Sequence, residues 1–186
     1  MHYSIGLSIG QLSDRAAASV VRRDGDVYEV LHLHVWQPGT SHPTTITDLK
    51  AILSTPLLCS RDASVTLAID VTLAGIVTGH MYRDRLSVYT VCYDIAHQER
   101  EGALSKREII SMIRILLEER RLRYAPTMEH ALTLQTELQQ FQAKQVTGDN
   151  PMTDWRTRPH DDLVIATAMA CWALQHTNPK ILLWGD

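Results

Sequence analysis

VTLAIDVTLAG, residues Val65–Gly75, is the stretch whose reading decides the fold. A short apolar run rich in β-branched residues, ending in the carboxylate Asp70 and followed five places on by Gly75, predicts a central strand that feeds a helix. Asp70 then sits at the carboxyl end of that strand, where open α/β sheets collect ligands and metals. Taken alone, the same acid reads first as a helix N-cap or a salt-bridged edge carboxylate. The rest of the chain discriminates between these readings.

Upstream, Tyr3–Ile9 has strand character, Ala16–Arg23 resumes it through ASVVRR, and Asp24-Gly25-Asp26 signals a hairpin into Val27–Trp36. These three strands form an antiparallel meander. His32 and His34, two apart on the third strand, share one face and read as either a solvated face or half of a metal site. Thr44–Leu53 has helical apolar spacing, with Thr44 or Thr45 as cap and Pro56 closing it.

Downstream of Asp70, Leu73–Arg83 is expected to be helical and Leu86–Tyr93 a strand. Ser105 opens an S-x-x-E capping box for a helix carrying Ile109, Ile110, Ile113, Leu116 and Leu117 on one stripe and running to about Arg121. Leu122–Tyr124 is a short candidate strand, and Pro126-Thr127 starts a further helix. Gln142–Arg158 is polar and loop-like. After Pro159 a last helix begins, with Asp161 and Asp162 in its first turn and Leu163–Leu174 apolar almost all round, so it is expected to be buried. The order predicts an α/β domain: a five-stranded mixed sheet, three antiparallel strands followed by right-handed β-α-β units, flanked by helices.

The chain has 186 residues, 45% hydrophobic and 21% charged, with a formal charge of −3. That length suits one domain, here 1–177 with a tail at 178–186. The mild negative charge excludes general attraction to nucleic acid, so DNA contact requires a local basic patch. Cys59, Cys92 and Cys171, widely spaced in apolar segments, read as reduced core thiols. The opening residues have no basic n-region, and the apolar run at Leu163–Leu174 is too short to span a bilayer, so the expectation is a soluble cytoplasmic protein with no membrane partner. No strand is followed by a glycine-rich phosphate loop or a G-x-x-x-x-G-K-[ST] pattern, which argues against a nucleotide-binding domain or an ATP-driven motor.

The opening YSIGLSIGQLSDRAAASVV, the strand end LAIDVTLAG, the helix SKREIISMIRILLEERRLRYAP and the segment RPHDDLVIATAMACWAL together cover most of the chain and occur in the order of a known family. With them the chain resembles the nuclease domain of phage terminase large subunits, an RNase H-like family related to Holliday-junction resolvases. The resemblance implies Mg²⁺- or Mn²⁺-dependent cleavage of DNA during genome packaging in the host cytoplasm, beside a separate terminase or portal-type component. It makes Asp70 the second catalytic and metal-binding carboxylate, Asp162 the third, and Asp161 an accessory acid. Lys106 matches a basic residue at the start of a conserved helix.

Two ions about 4 Å apart need several oxygen ligands, which carboxylates supply. The family's first acid, within GxDxG, is here Ser8 in Gly6-Leu7-Ser8-Ile9-Gly10. A neutral hydroxyl lacks the charge that bridges both ions, so an impaired site is expected, and Asp14 stands as a support or partial substitute. Arg156 and Arg158, just before the acids, are placed to hold a scissile strand. Arg107, Arg114, Arg120, Arg121 and Arg123 form either a solvated helix face or a phosphate-tracking strip. The alternative to a nuclease is a catalytically inactive RNase H-like module that binds DNA or a packaging partner.

Overall fold

The computed structural model describes residues 1–9, 15–71, 75–93, 106–145 and 161–176, with the main chain alone at 76–77, 106–107, 110 and 141–145. In chain order the elements are β1 (His2–Ser8), β2 (Ala16–Asp24), β3 (Val27–Trp36), α1 (His42–Leu53), β4 (Ser64–Asp70), α2 (Ile76–Arg85), β5 (Tyr89–Tyr93), α3 (Lys106–Glu118), β6 (Leu122–Tyr124), α4 (Ala131–Gln145) and α5 (Asp162–His176). All six strands join one mixed sheet in the order β5-β4-β1-β2-β3-β6. Sequence alone predicts five. The sixth is the three-residue β6, which adds parallel to β3 through Tyr28, Glu29 and Val30 at the far edge.

β1 lies at the centre, antiparallel to β2 and parallel to β4. The turn between β2 and β3 places Gly25 at φ 56°, a left-handed conformation that glycine adopts without steric cost. Apolar residues fill both sides of the sheet. On one side Ala17, Val21, Tyr28, Val30 and Leu33 pack with residues of α3, α4 and α5. On the other, Ile5, Leu7, Val20, Leu67 and Ile69 pack with residues of α1 and α2. The result is a three-layer α/β/α arrangement, in which β1 and β4 are covered on both faces and therefore read as nearly continuous apolar runs.

Several element ends differ from the sequence expectation, each for a local reason. Ser41, not Thr44 or Thr45, caps α1: its side chain accepts from the Thr44 amide, and Pro43 falls in the first turn, where a missing N–H costs nothing. α2 starts at Ile76 because Gly75 holds φ 78° immediately before it. β5 begins only at Tyr89, since Leu86 ends α2 and the Val88 amide turns back to the Leu86 carbonyl. His130, at φ 62°, interrupts the segment expected to be helical from Pro126, so α4 begins at Ala131. Cys171 is buried and Cys92 half-buried, as expected of core thiols, but Cys59 is exposed. The Ser105 capping box and the tail at 178–186 lie outside the described residues. No helix among the described residues is long and apolar enough to cross a membrane.

α5 determines the geometry around the strand ends. It is buried from Leu163 to Cys171 and again at Ala173 and Leu174, and its many alanines have a definite role. A Cβ placed on Gly6 of β1 would lie 1.8 Å from the Ala166 carbonyl oxygen and 2.8 Å from the Ala170 nitrogen. The helix backbone therefore rests directly on the sheet at Gly6. Only a glycine beneath and small residues above allow that approach.

Candidate active site at the strand ends

The direction of α5 follows from three polar contacts. Near its end, the Leu174 carbonyl accepts from Arg23, whose cross-strand partner is His2 at the start of β1. In its middle, Thr167 Oγ1 donates to Ser19 Oγ at 3.0 Å, and Ser19 pairs with Gly6. At its beginning, Asp162 faces Arg15, which directly precedes β2. The helix thus runs antiparallel to β1, its first turn above the strand's carboxyl end. From Thr167 back to Asp162 is five residues, about 7.5 Å of helix rise. From Gly6 to Ser8 is two residues, about 6.6 Å of strand. Asp162 is therefore level with Ser8 along the strand axis.

Ser8 and Asp70 end β1 and β4 and are register partners in the parallel pair. Neighbouring strands lie about 4.8 Å apart, so the two side chains leave the sheet side by side. Ser8 is buried and Asp70 half-buried. Asp161 immediately precedes α5, and its carbonyl accepts the Ile165 amide, so the helix ladder starts on it. Four of the residues singled out in sequence, Ser8, Asp70, Asp161 and Asp162, are thereby carried to one end of the sheet by three elements. Lys106 heads α3 with only its main chain described, and Asp14, Arg156 and Arg158 lie outside the described residues.

Two residues that sequence reasoning passed over complete this end of the molecule. Glu137 projects from α4 and is only 4% exposed. Its Oε2 accepts the backbone amides of Leu163 at 2.9 Å and Val164 at 3.2 Å, satisfying two donors of the first turn of α5 that have no partner within the helix. Its Oε1 accepts from Arg15 Nη2 at 2.9 Å. Arg15 Nε lies 3.5 Å from Asp162 Oδ2, an ion pair without a hydrogen bond, and that nitrogen is otherwise buried without a partner. Burial pushes the Glu137 carboxyl up to about 7, and the nearby Asp162 charge adds to the rise; the Val164 and Leu163 amides and Arg15 oppose it. The signal for Glu137 was its position beside Leu138 and three residues after Leu134, both buried on α4.

A two-ion centre needs several anionic oxygens around the metals. Among the described residues no three His, Cys, Asp or Glu side chains gather closely enough to hold a metal ion. Ser8 contributes a neutral hydroxyl, and Asp162 already faces a guanidinium. The described side chains in this arrangement do not fit a two-ion centre. His32 and His34 are half-buried on β3 with ring centroids 6.1 Å apart, and burial lowers the His32 pKa, the neighbouring His34 adding to the effect.

By sequence the chain matches no protein-family model and no curated protein. By structure it resembles solved terminases. The large terminase nuclease of thermophilic phage G20c superposes with a TM-score of 0.63 at 20% identity, covering 94% of this chain and 82% of that one. The P22 large terminase nuclease domain gives 0.58 at 14%, covering 93% and 81%. A manganese-soaked human cytomegalovirus terminase nuclease domain gives 0.58 at 10%, covering 91% and 82%. The chain has the RNase H-like fold of the terminase large-subunit nuclease domains.

Proposed function

We propose that the chain is a terminase-type DNA endonuclease domain with an impaired acidic site, working in the DNA packaging of a phage or prophage within the bacterial cytoplasm. The observation that carries this reading is the register pair Ser8–Asp70 beneath the first turn of α5. Asp70, Asp162 and Asp161 supply the acids, and Ser8 stands where the family's first acid belongs. Arg156, Arg158 and Lys106 hold the phosphates of the DNA strand, and Asp14 supports the acids from the β1–β2 connection. Residues 1–177 form the nuclease-type unit, and 178–186 a tail that docks on the body or on a terminase or portal-type partner. In this reading Asp70, Asp161 and Asp162 would hold whatever Mg²⁺ or Mn²⁺ still binds, and the ion would supply the activation of water; a terminase nuclease domain of similar fold has been soaked with manganese.

Nicking of supercoiled plasmid tests this. Weak, Mn²⁺-stimulated nicking is expected, lost in both Asp70→Ala and Asp162→Ala, and raised about tenfold or more in Ser8→Asp, which restores a charge-assisted ligand. Unchanged nicking in both alanine variants rejects the reading.

The Arg15–Asp162 ion pair favours a second reading, a catalytically inactive module that binds DNA or a packaging component. Calorimetry then finds no metal binding in the millimolar range, while fluorescence anisotropy still registers DNA binding.

A further inference from the structure

We infer that Arg15 is a built-in counter-cation of this site: its guanidinium, anchored on the buried Glu137, holds the Asp162 carboxylate and excludes a divalent ion from it. The inference rests on the reading that Asp162 belongs to the functional site, and it adds a reason other than Ser8 for a weakened metal affinity.

Arg15 directly precedes β2, Glu137 belongs to α4 and Asp162 opens α5, so one guanidinium ties together three parts of the fold that meet at the strand ends. Its two ends are held unequally. The Nη2–Glu137 contact is a 2.9 Å hydrogen bond to a carboxylate that is itself fixed by two amides of α5. The Nε–Asp162 contact, at 3.5 Å, is electrostatic only, and this Nε is the only side-chain nitrogen or oxygen among the described residues found buried without a hydrogen bond. Here the anchor on Glu137 decides where the guanidinium sits, and the charge beside Asp162 follows from it.

The side chains of Arg15 and Asp162 are 17% and 18% exposed, so solvent screens the pair only in part. A fixed positive charge at this distance repels a second cation from the same carboxylate, as opposite charges within about 4–6 Å shift the proton affinity of an acid by one to three orders of magnitude. With the first acid replaced by Ser8, the site has lost negative charge while keeping this positive one.

Metal binding measured without cleavage tests the inference. Mn²⁺ is titrated into wild type, Arg15→Gln, Arg15→Lys, Ser8→Asp and Ser8→Asp/Arg15→Gln, and the loss of the free-ion electron paramagnetic resonance signal is followed. Removing the charge is expected to tighten Mn²⁺ binding about tenfold in both backgrounds, while Arg15→Lys, which keeps the charge, stays at the wild-type value. In parallel, Mn²⁺ raises the melting temperature of Arg15→Gln and leaves that of wild type unmoved. Arg15→Met, which keeps the aliphatic stem, carries the same test if the glutamine variant melts below assay temperature. Ser8→Asp binding Mn²⁺ with no gain on adding Arg15→Gln overturns the inference and leaves the site reading intact. No Mn²⁺ binding in any variant overturns both.

Discussion

Gly6→Ala is the single methyl addition expected to do the most damage. The new Cβ would lie 1.8 Å from the Ala166 carbonyl oxygen, and ordinary contact begins at 3.4 Å, so the backbones of β1 and α5 must separate by up to 1.6 Å. The atom met is main chain, so no rotamer change relieves the clash. α5 also packs against β2 and β4, and moving it loosens the face it shares with Ala17, Val21 and Ala68. Overpacking of a well-filled core costs typically about 1–3 kcal/mol, and this case belongs at or above the upper end. The lower entropy of alanine in the unfolded chain returns less than about 1 kcal/mol. At roughly 2–4 °C per kcal/mol for a chain of this size, a net loss near 3 kcal/mol lowers the melting temperature by about 6–12 °C.

Circular dichroism melts of wild type, Gly6→Ala and Gly39→Ala measure this. Gly39, at φ 83° with nothing within 4 Å of where a Cβ would sit, carries backbone strain of about 1–2 kcal/mol when substituted but no clash. A Gly6→Ala melting temperature within about 2 °C of wild type, or a smaller loss than Gly39→Ala, refutes the close-approach argument. Trimming the facing side chain with Ala166→Gly is expected to bring no rescue, because the obstacle is a carbonyl.

Two further outcomes follow from the polar contacts of α5. Glu137 keeps its proton up to about 7 in the folded chain and releases it near 4.5 when unfolded, so its contribution to stability is complete below about 4.5 and lost as pH rises through about 7. At 1.36 kcal/mol per pH unit this amounts to at most about 3 kcal/mol. Urea denaturation between pH 4.5 and 8 should show that slope in wild type and lose it in Glu137→Gln; taking the difference removes His32, whose lowered pKa acts in the opposite sense. Parallel profiles refute the assignment. Thr167→Val leaves the buried Ser19 hydroxyl without its donor and is expected to cost about 1–2 kcal/mol in urea unfolding, most of it recovered in Thr167→Ser, whereas equal losses in both variants point to packing instead.

Strong local patterns carried most of the architecture. The apolar β-branched run ending at Asp70, the Asp24-Gly25-Asp26 hairpin and the all-round apolar Leu163–Leu174 segment each state their element without help from the rest of the chain, and each is present. The edge strand Leu122–Tyr124 is too short to show a period of two. Its place in the sheet is set by tertiary contact, beginning with the Tyr28 amide on the Arg121 carbonyl. The neighbourhood of Ser8 and Asp70 was legible because both end strands that topology puts side by side. Arg15 and Glu137 were not, because their meaning is electrostatic and lies in each other and in Asp162. An arginine at a loop end and a glutamate in LQTELQQ look like surface residues until α4 folds over the start of α5.

The seat of α5 on Gly6 also bears on how the polypeptide reaches its native state. The strand at the middle of the sheet is the first described element, and the helix that closes over it is the last. Local hairpins and helices can form early, but the face around Gly6 stays uncovered until Ala166 and Ala170 of α5, distant in sequence, dock on it. Long-range closure of this kind makes folding slower than in a chain held by local contacts.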